Sequence, residues 1–280
     1  MTKNLLDLSG KIDQQSIDLF RLINRITAML DMPYLVVGAT ARDIVYHHRF
    51  GTPVKRATTD IDFGIQVRSW EEFESLSQML VSEEFKATKS AHRFFSPNDT
   101  QLDIVPFGLI EDEMANIQWP PNGDVEMNVL GFKEALDHSF QVKIASDPEL
   151  HIPVASPRGL VMLKFIAWDG REREMRVRDA QDIAYLLNYY EVDKSVLDRV
   201  YEGRVIEQYD YDVSLASAHI LGSDSTAIAG DKTRKRILEI IDRNLNSSDE
   251  NLLVVEMCKQ VEMEYEKYLK LLQAFASGFR

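Results

Sequence analysis

The segment Thr58-Thr59-Asp60-Ile61-Asp62-Phe63-Gly64 constrains the fold more than any other part of the chain. Its carboxylates alternate with apolar residues, and a period of two predicts a β-strand with one face buried. Side chains two residues apart on a strand point to the same side, about 6.5 Å from each other. That spacing allows Asp60 and Asp62 to hold two divalent cations about 3.5–4 Å apart. Because Asp-x-Asp pairs are also common in loops and on solvated strands, this interpretation depends on the rest of the chain.

Length and composition narrow the class of protein. The 280 residues are 45% hydrophobic, which is enough for a sizeable core and favours two domains. No apolar run reaches the roughly 20 residues that a membrane span requires, and the first residues lack a secretory signal pattern. The single cysteine, Cys258, excludes an internal disulfide framework and a Cys-rich zinc site. These features predict a cytoplasmic protein that does not contact membranes. The net charge of −13 argues against a protein that coats nucleic acid non-specifically, although it allows a local basic groove.

The succession of predicted elements places a domain boundary near residue 155, where a mixture of strands and helices gives way to helices alone. In the first domain, residues 1–155, Ser69 and Glu72 form a capping box sequence at the start of a helix. Pro106 predicts the end of a strand, and residues 119–124 predict a turn. The apolar patterns predict helices at 13–30, 41–50 and 69–82, and strands at 34–37, 60–67, 85–89, 93–95, 101–107, 125–130, 140–144 and 151–154.

The second domain, residues 156–280, opens at Ser156-Pro157, an N-cap residue followed by proline at the first helical position. The predicted fold class is therefore α/β (α+β), with a mixed-sheet core followed by a helical-bundle C-terminal domain. The helical periods of the second domain predict helices at 158–171, 178–190, 193–206, 211–222, 231–245 and 249–276.

A turn of small residues, Gly38-Ala39-Thr40, links the predicted strand 34–37 to the helix that follows it. Small residues permit close approach of a phosphate, and the start of a helix presents free N–H groups. Such a turn is also found at ordinary strand-to-helix junctions. It therefore predicts a phosphate-binding site only in combination with other residues.

A third carboxylate, Asp103, lies within the apolar strand predicted at 101–107. An acid in so apolar a strand is costly unless it is paired, bound to metal or placed on a solvated edge. Together with Asp60 and Asp62 it fits metal-assisted phosphoryl transfer. In that chemistry the turn N–H groups and the Thr40 hydroxyl hold the β- and γ-phosphates of an NTP, and Asp60 and Asp62 bind two Mg²⁺ ions. Asp103 completes the metal site and helps to deprotonate the acceptor hydroxyl.

These residues carry a resemblance to a known group of enzymes. Gly38 with its small neighbours, then Asp60-Ile61-Asp62, then Leu102-Asp103-Ile104 resembles the signature of the DNA polymerase β-like nucleotidyltransferase superfamily. In the second half, Lys164–Arg171 and Arg178–Ile183 resemble the helical motif of the AbiEii/AbiGii group, nucleotidyltransferase toxins of toxin–antitoxin and phage-abortive systems. With Ser217–Asp224, which resembles later helices of that group, the similarity spans roughly residues 34–225.

The resemblance implies roles for three residues of the helical half. Lys164 would contact the triphosphate, while Arg178 and Asp182 would contact the nucleotide or acceptor, or Asp182 would hold a basic partner in place. Each has a simpler interpretation, since Lys164 could lie along the surface and Arg178 with Asp182 could form an i,i+4 ion pair. Asp179 is predicted to be a solvated or helix-capping neighbour.

The turn departs from the family pattern in two ways. Ala39 stands where the family often has serine, so one phosphate-binding hydroxyl is missing. Arg42-Asp43 resembles the Gly-Gly-x-x-Arg-Asp turn of tRNA nucleotidyltransferases, in which the pair shapes the nucleotide pocket. The choice of nucleotide therefore stays open.

The resemblance implies an RNA acceptor, such as a tRNA 3′ end, a toxin role and an antitoxin partner. A small-molecule acceptor, as in aminoglycoside nucleotidyltransferases, or a protein acceptor is the alternative within enzymes, and the acidic composition favours it. A non-catalytic nucleotide-binding or partner-binding module is the alternative outside them.

Overall fold

A computed structural model describes residues 5–54, 60–120, 123, 125–246, 251–259 and 264–280. The chain divides into two compact units, Met1–Ser156 and Pro157–Arg280. Thr58 and Thr59 of the Asp-x-Asp segment lie outside the described residues, as do parts of the predicted turn at 119–124 and of the predicted helix at 249–276. Within the described residues, no helix is both long enough and apolar enough to cross a membrane.

The first unit is built on an eight-stranded mixed sheet, beside a two-stranded hairpin. The strands in chain order are β1 (Leu5–Asp7), β2 (Tyr34–Val37), β3 (Asp60–Val67), β4 (Lys86–Ala87), β5 (Arg93–Phe95), β6 (Gln101–Gly108), β7 (Asn116–Gln118), β8 (Glu126–Asn128), β9 (Phe140–Ser146) and β10 (Glu149–Val154). The large sheet has the order β1-β9-β10-β2-β3-β6-β5-β4, and β7 pairs with β8. The neighbouring strands β3 and β6, both in the interior of the sheet, run parallel.

Helices pack on both faces of this sheet: α1 (Gln14–Met29), α2 (Gly38–Arg42), α3 (Trp70–Ser82) and α4 (Phe132–Asp137). On one face Phe63 of β3 contacts Phe20 of α1, with ring centroids 6.0 Å apart. On the other face Phe132 of α4 lies over Gly64, where a Cβ atom would come within 2.7 Å of its ring. Because side chains alternate along a strand, Asp60 and Asp62 share the second face with Gly64.

Three sequence predictions for the first unit are wrong in detail. The helix after β2 begins at Gly38 instead of Ala41 and continues through a π-helical stretch, Asp43–His48. The capping box does not form: the Ser69 side chain makes no cap hydrogen bond, and Glu72 accepts one from the backbone N–H of Arg68 at 2.7 Å. The strand with Pro106 continues to Gly108. Among the described residues β5 pairs with β6 only along Gln101–Asp103, so Pro106 lies beyond that pairing and its missing N–H does not interrupt it.

The second unit is helical throughout its described elements: α5 (Pro157–Gly170), α6 (Arg173–Tyr189), α7 (Lys194–Glu202), α8 (Val213–Thr226), α9 (Asp231–Leu245), α10 (Leu252–Met257) and α11 (Tyr265–Phe279). Helices α8 and α11 approach closely at two glycines. A Cβ atom on Gly278 would lie 1.9 Å from the His219 carbonyl oxygen, and one on Gly222 would lie 2.2 Å from the Phe275 carbonyl oxygen. Phe275 also stacks on Phe165 of α5, which ties three helices into one core.

The predicted fold class, a mixed sheet followed by helices, is confirmed. Two of the helical predictions are wrong. The predicted helix 193–206 ends at Glu202, and a separate 3₁₀ helix covers Val205–Tyr209. The predicted helix 249–276 is interrupted, since α10 ends at Met257 and a turn follows at Cys258 and Lys259. The predicted cap at Ser156 is absent as well, because its buried hydroxyl has no hydrogen-bond partner.

Candidate active site

The register of the neighbouring strands β3 and β6 brings carboxylates side by side. In the parallel pair β3–β6, Asp62 lies opposite Asp103, and Asp60 lies opposite Gln101. Neighbouring strands are about 4.8 Å apart, so the two carboxylates come from positions in direct lateral contact. The alternation of buried and half-buried residues along both strands leaves Asp60, Asp62 and Asp103 half-buried on one face.

The three carboxylates form a group that suits a metal ion. One oxygen atom from each of Asp60, Asp62 and Asp103 lies within 4.8 Å of the others. Hard cations such as Mg²⁺ prefer carboxylate oxygens as ligands, and carboxylates this close repel one another unless positive charge is near. The donor set therefore fits a divalent cation. We name these three residues the carboxylate triad.

The start of α2 approaches the triad very closely at Gly38. Its φ angle is +66°, and a Cβ atom at this position would lie 1.9 Å from Oδ2 of Asp62 and 2.7 Å from its Cγ. Only glycine fits there without displacing the carboxylate. The free N–H groups at the start of this helix are therefore placed beside the triad.

Two neighbours of Gly38 were also predicted to bind phosphate. The hydroxyl of Thr40 donates a hydrogen bond to the backbone carbonyl of Asp60 at 3.1 Å. A hydroxyl has one proton, so in this state the Thr40 side chain positions β3, and only its backbone N–H is left to donate to a phosphate. Ala39 is buried.

Arg42, predicted to shape a nucleotide pocket, is buried with only 2% of its surface exposed. Its guanidinium donates two hydrogen bonds to Oδ1 of Asp43, at 2.9 and 2.8 Å. The Arg42 side chain is therefore held in the core by its neighbour in the chain.

An arginine that the sequence did not single out contacts the triad directly. Arg93 on β5 lies opposite Asp103 in the antiparallel pair β5–β6. Its Nε and one terminal nitrogen each donate a 2.7 Å hydrogen bond to a different oxygen of Asp103. The sequence shows that Arg93 begins a short predicted strand close to the strand that contains Asp103. It does not show the register that sets the two residues opposite each other.

In the second unit, Lys164 and Asp182 come together in a buried ion cluster with two further residues. Lys164 Nζ lies 2.9 Å from Oδ1 of Asp179 and 2.8 Å from Oδ2 of Asp182. Arg171 donates to both oxygens of Asp179, at 3.1 and 2.8 Å. Burial by itself lowers the pKa of Lys164, but the charges of Asp182 and Asp179 outweigh it and raise the pKa above its ordinary value. We name these four residues the lysine cluster.

The cluster corrects one sequence prediction and refines two others. Asp179, predicted to be solvated, is fully buried. Lys164 is not a surface lysine, since its side chain is only 13% exposed. Asp182 pairs with Lys164, while Arg178 is exposed. The signal for Asp179 was its spacing, because positions 179, 182 and 186 lie on one helical face and 186 is a buried leucine.

Comparison with known proteins assigns a family. The family model described as nucleotidyl transferase AbiEii toxin, type IV toxin–antitoxin system, matches residues 22–262. No curated protein matches the sequence. Two solved structures resemble parts of the chain. The antibiotic-resistance factor ANT(2'')-Ia has 14% identity and a TM-score of 0.34, and the match covers 71% of this chain and 98% of that one. A CCA-adding enzyme in complex with CTP has 13% identity and a TM-score of 0.28, over 94% of this chain and 68% of that one.

The assignment rests on the family model, which spans both units, while the two structural similarities are too distant to contribute to it. The chain is a nucleotidyltransferase and belongs to the AbiEii toxin family of type IV toxin–antitoxin systems.

Proposed function

We propose that this enzyme transfers a nucleoside monophosphate from an NTP to an acceptor hydroxyl on RNA, with tRNA as the first candidate, and depends on Mg²⁺. In the cell it would act as a toxin in the cytoplasm, opposed by an antitoxin protein. Family membership supports the toxin role and the antitoxin partner. The single cysteine, which is buried and free, agrees with a reducing compartment.

The observation that carries the proposal is the carboxylate triad. Three carboxylates from adjacent strands, with oxygen atoms within 4.8 Å of one another, are costly to hold together unless a cation joins them. Gly38 adds to this, because its missing side chain leaves the backbone within reach of whatever Asp62 binds. A non-catalytic module would have no need for this arrangement.

The reaction forms one phosphorus–oxygen bond and breaks another. The acceptor oxygen forms a bond to the α-phosphorus, the bond from that phosphorus to the bridging β-phosphate oxygen breaks, and pyrophosphate leaves. The proton of the acceptor hydroxyl passes to the Asp103 carboxylate. Magnesium, when bound, neutralises the triphosphate oxygens and the charge that builds up on them in the transition state.

The position of each residue decides which part of the reaction it would assist. Asp60 and Asp62 would bind the metal from the start of β3, and Asp103 would bind it from β6 beside the acceptor. The N–H groups at Gly38 and Ala39, and that of Thr40, would hold the β- and γ-phosphates. Arg42 would shape the base pocket through its pairing with Asp43.

For the second unit, the family resemblance supports contacts of Lys164, Arg178 and Asp182 with the nucleotide or acceptor. The lysine cluster changes how Lys164 would do so. Two carboxylates hold its ammonium group in one place, so it would act as a fixed charge instead of a mobile one. Arg178, being exposed, would be the more adaptable cation.

A small-molecule acceptor is the second candidate, because a net charge of −13 disfavours a polyanionic acceptor outside a local groove. A protein side chain is the third. All three candidates use the same chemistry at the triad, so they differ only in which molecule receives the labelled nucleotide.

The test is therefore transfer from each α-labelled NTP, with Mg²⁺ and total tRNA, by the wild type and by the double variant Asp60→Ala/Asp62→Ala. Loss of the metal ligands should lower transfer by at least about 100-fold, since metal ions contribute several kcal/mol to the transition state. Asp99→Ala/Asp137→Ala is the matched control, because both carboxylates lie in the same unit, outside the triad, in exposed pairs with lysines.

Label on RNA with the wild type and the control variant alone would support the RNA acceptor and identify the nucleotide. NTP binding without label on RNA would transfer the assignment to a small-molecule or protein acceptor. Absence of NTP binding would overturn the proposed reaction.

A further inference from the structure

The Asp103 carboxylate already has a partner that covers both of its oxygens. Arg93 Nε donates to Oδ1 and its terminal nitrogen donates to Oδ2, each at 2.7 Å, in a two-pronged ion pair. The side-chain amide of Gln101 donates to the same Oδ2 at 3.2 Å. Such paired Arg–carboxylate bonds are among the strongest that side chains form. In this state the third carboxylate is bound to protein, not waiting for a metal.

The guanidinium also lies within the field of the other two carboxylates. Arg93 donates to both oxygens of Asp103, and an Asp103 oxygen lies within 4.8 Å of oxygens of Asp60 and Asp62. Arg93 therefore contributes one positive charge to the whole triad. It partly offsets the repulsion of three carboxylates whose oxygens lie within 4.8 Å of one another.

We propose that Arg93 is an exchangeable counter-ion of the triad, and that a divalent cation binds by displacing its guanidinium from Asp103. The proposal rests on the proposed function, because it takes the triad to be the metal site. It assigns to Arg93 a positioning role that sets how readily the metal enters. Arg93 itself does not take part in the bond-making step.

Charge and accessibility favour exchange over a permanent support. A divalent cation among the three carboxylates and a guanidinium hydrogen-bonded to one of them would repel each other across a few ångströms. The Arg93 side chain is 38% exposed, whereas that of Asp103 is 15% exposed. Arg93 therefore has solvent on one side into which it can swing, while Asp103 stays in place on β6.

Exchange has a functional consequence that a fixed support lacks. Without metal, the guanidinium of Arg93 donates to both oxygens of Asp103 and competes with the acceptor hydroxyl for this carboxylate. Displacement of Arg93 by the metal would remove that competition. The cation concentration would then decide what fraction of the protein has a complete triad.

The experiment measures Mn²⁺ binding to the full chain without nucleotide, by the loss of the free Mn²⁺ signal in electron paramagnetic resonance. Arg93→Gln removes the competing charge and should tighten Mn²⁺ binding by about tenfold, a typical size for coupling between two ligands of one site. In the Asp103→Asn background the same substitution should change the affinity much less, because the contact it would relieve is already weakened.

Arg68→Gln is the matched control, since Arg68 pairs with Glu72 and lies beyond the end of β3. From Asp62 to Arg68 the chain covers six residue steps, about 20 Å in extended form, so its charge should not alter Mn²⁺ affinity. Far-ultraviolet circular dichroism checks that each variant is folded. If Arg93→Gln fails to fold, the Nε–H resonance of Arg93 in the wild type gives the second measurement, and exchange predicts that it shifts as Mg²⁺ is added.

The outcomes separate this inference from the proposed function. Tighter binding by Arg93→Gln, reduced in the Asp103→Asn background, would support exchange. Unchanged or weaker binding by Arg93→Gln, with normal binding by the wild type, would overturn exchange and leave the metal site intact. No Mn²⁺ binding by the wild type would overturn both.

Discussion

The contact between Gly38 and Asp62 gives a sharp prediction for a single residue. Gly38→Ala would place a Cβ atom 1.9 Å from Oδ2 of Asp62 and 2.9 Å from its Cβ, at a φ of +66°. The strain should cost about 1–3 kcal/mol of unfolding free energy. The displaced Asp62 would no longer meet Asp60 and Asp103, so nucleotide transfer should fall at least about 100-fold. Urea unfolding and the label-transfer assay measure the two effects.

Gly51 supplies the control for this variant. Its φ is +73°, but nothing lies within 4 Å of a Cβ atom at that position. Gly51→Ala therefore has the backbone strain without the clash and should retain transfer activity. Equal loss of transfer in both variants would show that helix stability, and not the approach to Asp62, is what the glycine provides.

A single residue could be predicted when the evidence for it lies in the sequence immediately around it. Asp60, Asp62 and Asp103 stand out because each is a charge in an apolar strand, which can be seen without knowing the fold. Arg93 did not stand out, because its importance depends on the antiparallel register that sets it opposite Asp103. Register of this kind is decided by packing between strands that are distant in sequence.

At the scale of elements, the lysine cluster joins α5 to α6 through buried charges. Lys164→Met would leave Asp179 and Asp182, both almost fully buried, with Arg171 as the only other member of the cluster. Removing one partner of a buried ion pair costs about 3–5 kcal/mol, because the remaining buried charges lose part of their compensation. Urea unfolding followed by circular dichroism should show a loss of that size.

Lys133→Met is the comparison for this substitution, since Lys133 forms an exposed i,i+4 pair with Asp137. Exposed pairs contribute about 1 kcal/mol or less. In the background Asp179→Asn/Asp182→Asn, Lys164→Met should cost much less than alone. A cost for Lys164→Met no larger than that for Lys133→Met would mean that the cluster does not hold the two helices together.

Element boundaries were less predictable than element types. The period of apolar residues runs through 249–276 without a glycine or proline, so the sequence predicted one helix where α10 ends at Met257. The start of α10 has a local cause, because the Asn251 side chain accepts a hydrogen bond from the N–H of Val254 at 3.1 Å. Asn251 was a visible cap residue, but a continuous period concealed it.

At the scale of the whole molecule, the division into a sheet-containing half and a helical half was predictable, because the apolar period changes at Ser156-Pro157. The strand order was not. β1 joins the far edge by pairing in parallel with β9, more than 130 residues later in the chain. A three-residue strand carries too little pattern to reveal a partner so distant. The three-residue strand β7 was missed too, although its partner β8 is close in sequence.

Histidines in both units make the stability of the whole chain depend on pH. Burial lowers the pKa of His48 in the first unit and of His219 in the second below the ordinary value of 6.5. A lowered pKa means that the folded protein binds protons less readily than the unfolded chain. The contribution of these residues is therefore complete above about pH 6.5 and is lost as pH falls through the folded-state pKa values.

Urea unfolding at pH 7.5 and at pH 5 measures this loss, and the midpoint should be lower at pH 5. Asp13 does not contribute to this difference: burial raises its pKa, but hydrogen bonds from Ser16 outweigh burial and lower the pKa below 3.8, so its contribution persists at pH 5. The variant His48→Gln/His219→Gln should lose less stability between the two pH values. An equal or greater loss in the variant would show that protonation of other groups governs the acid response, because glutamine cannot take up the proton that the unfolded histidine binds.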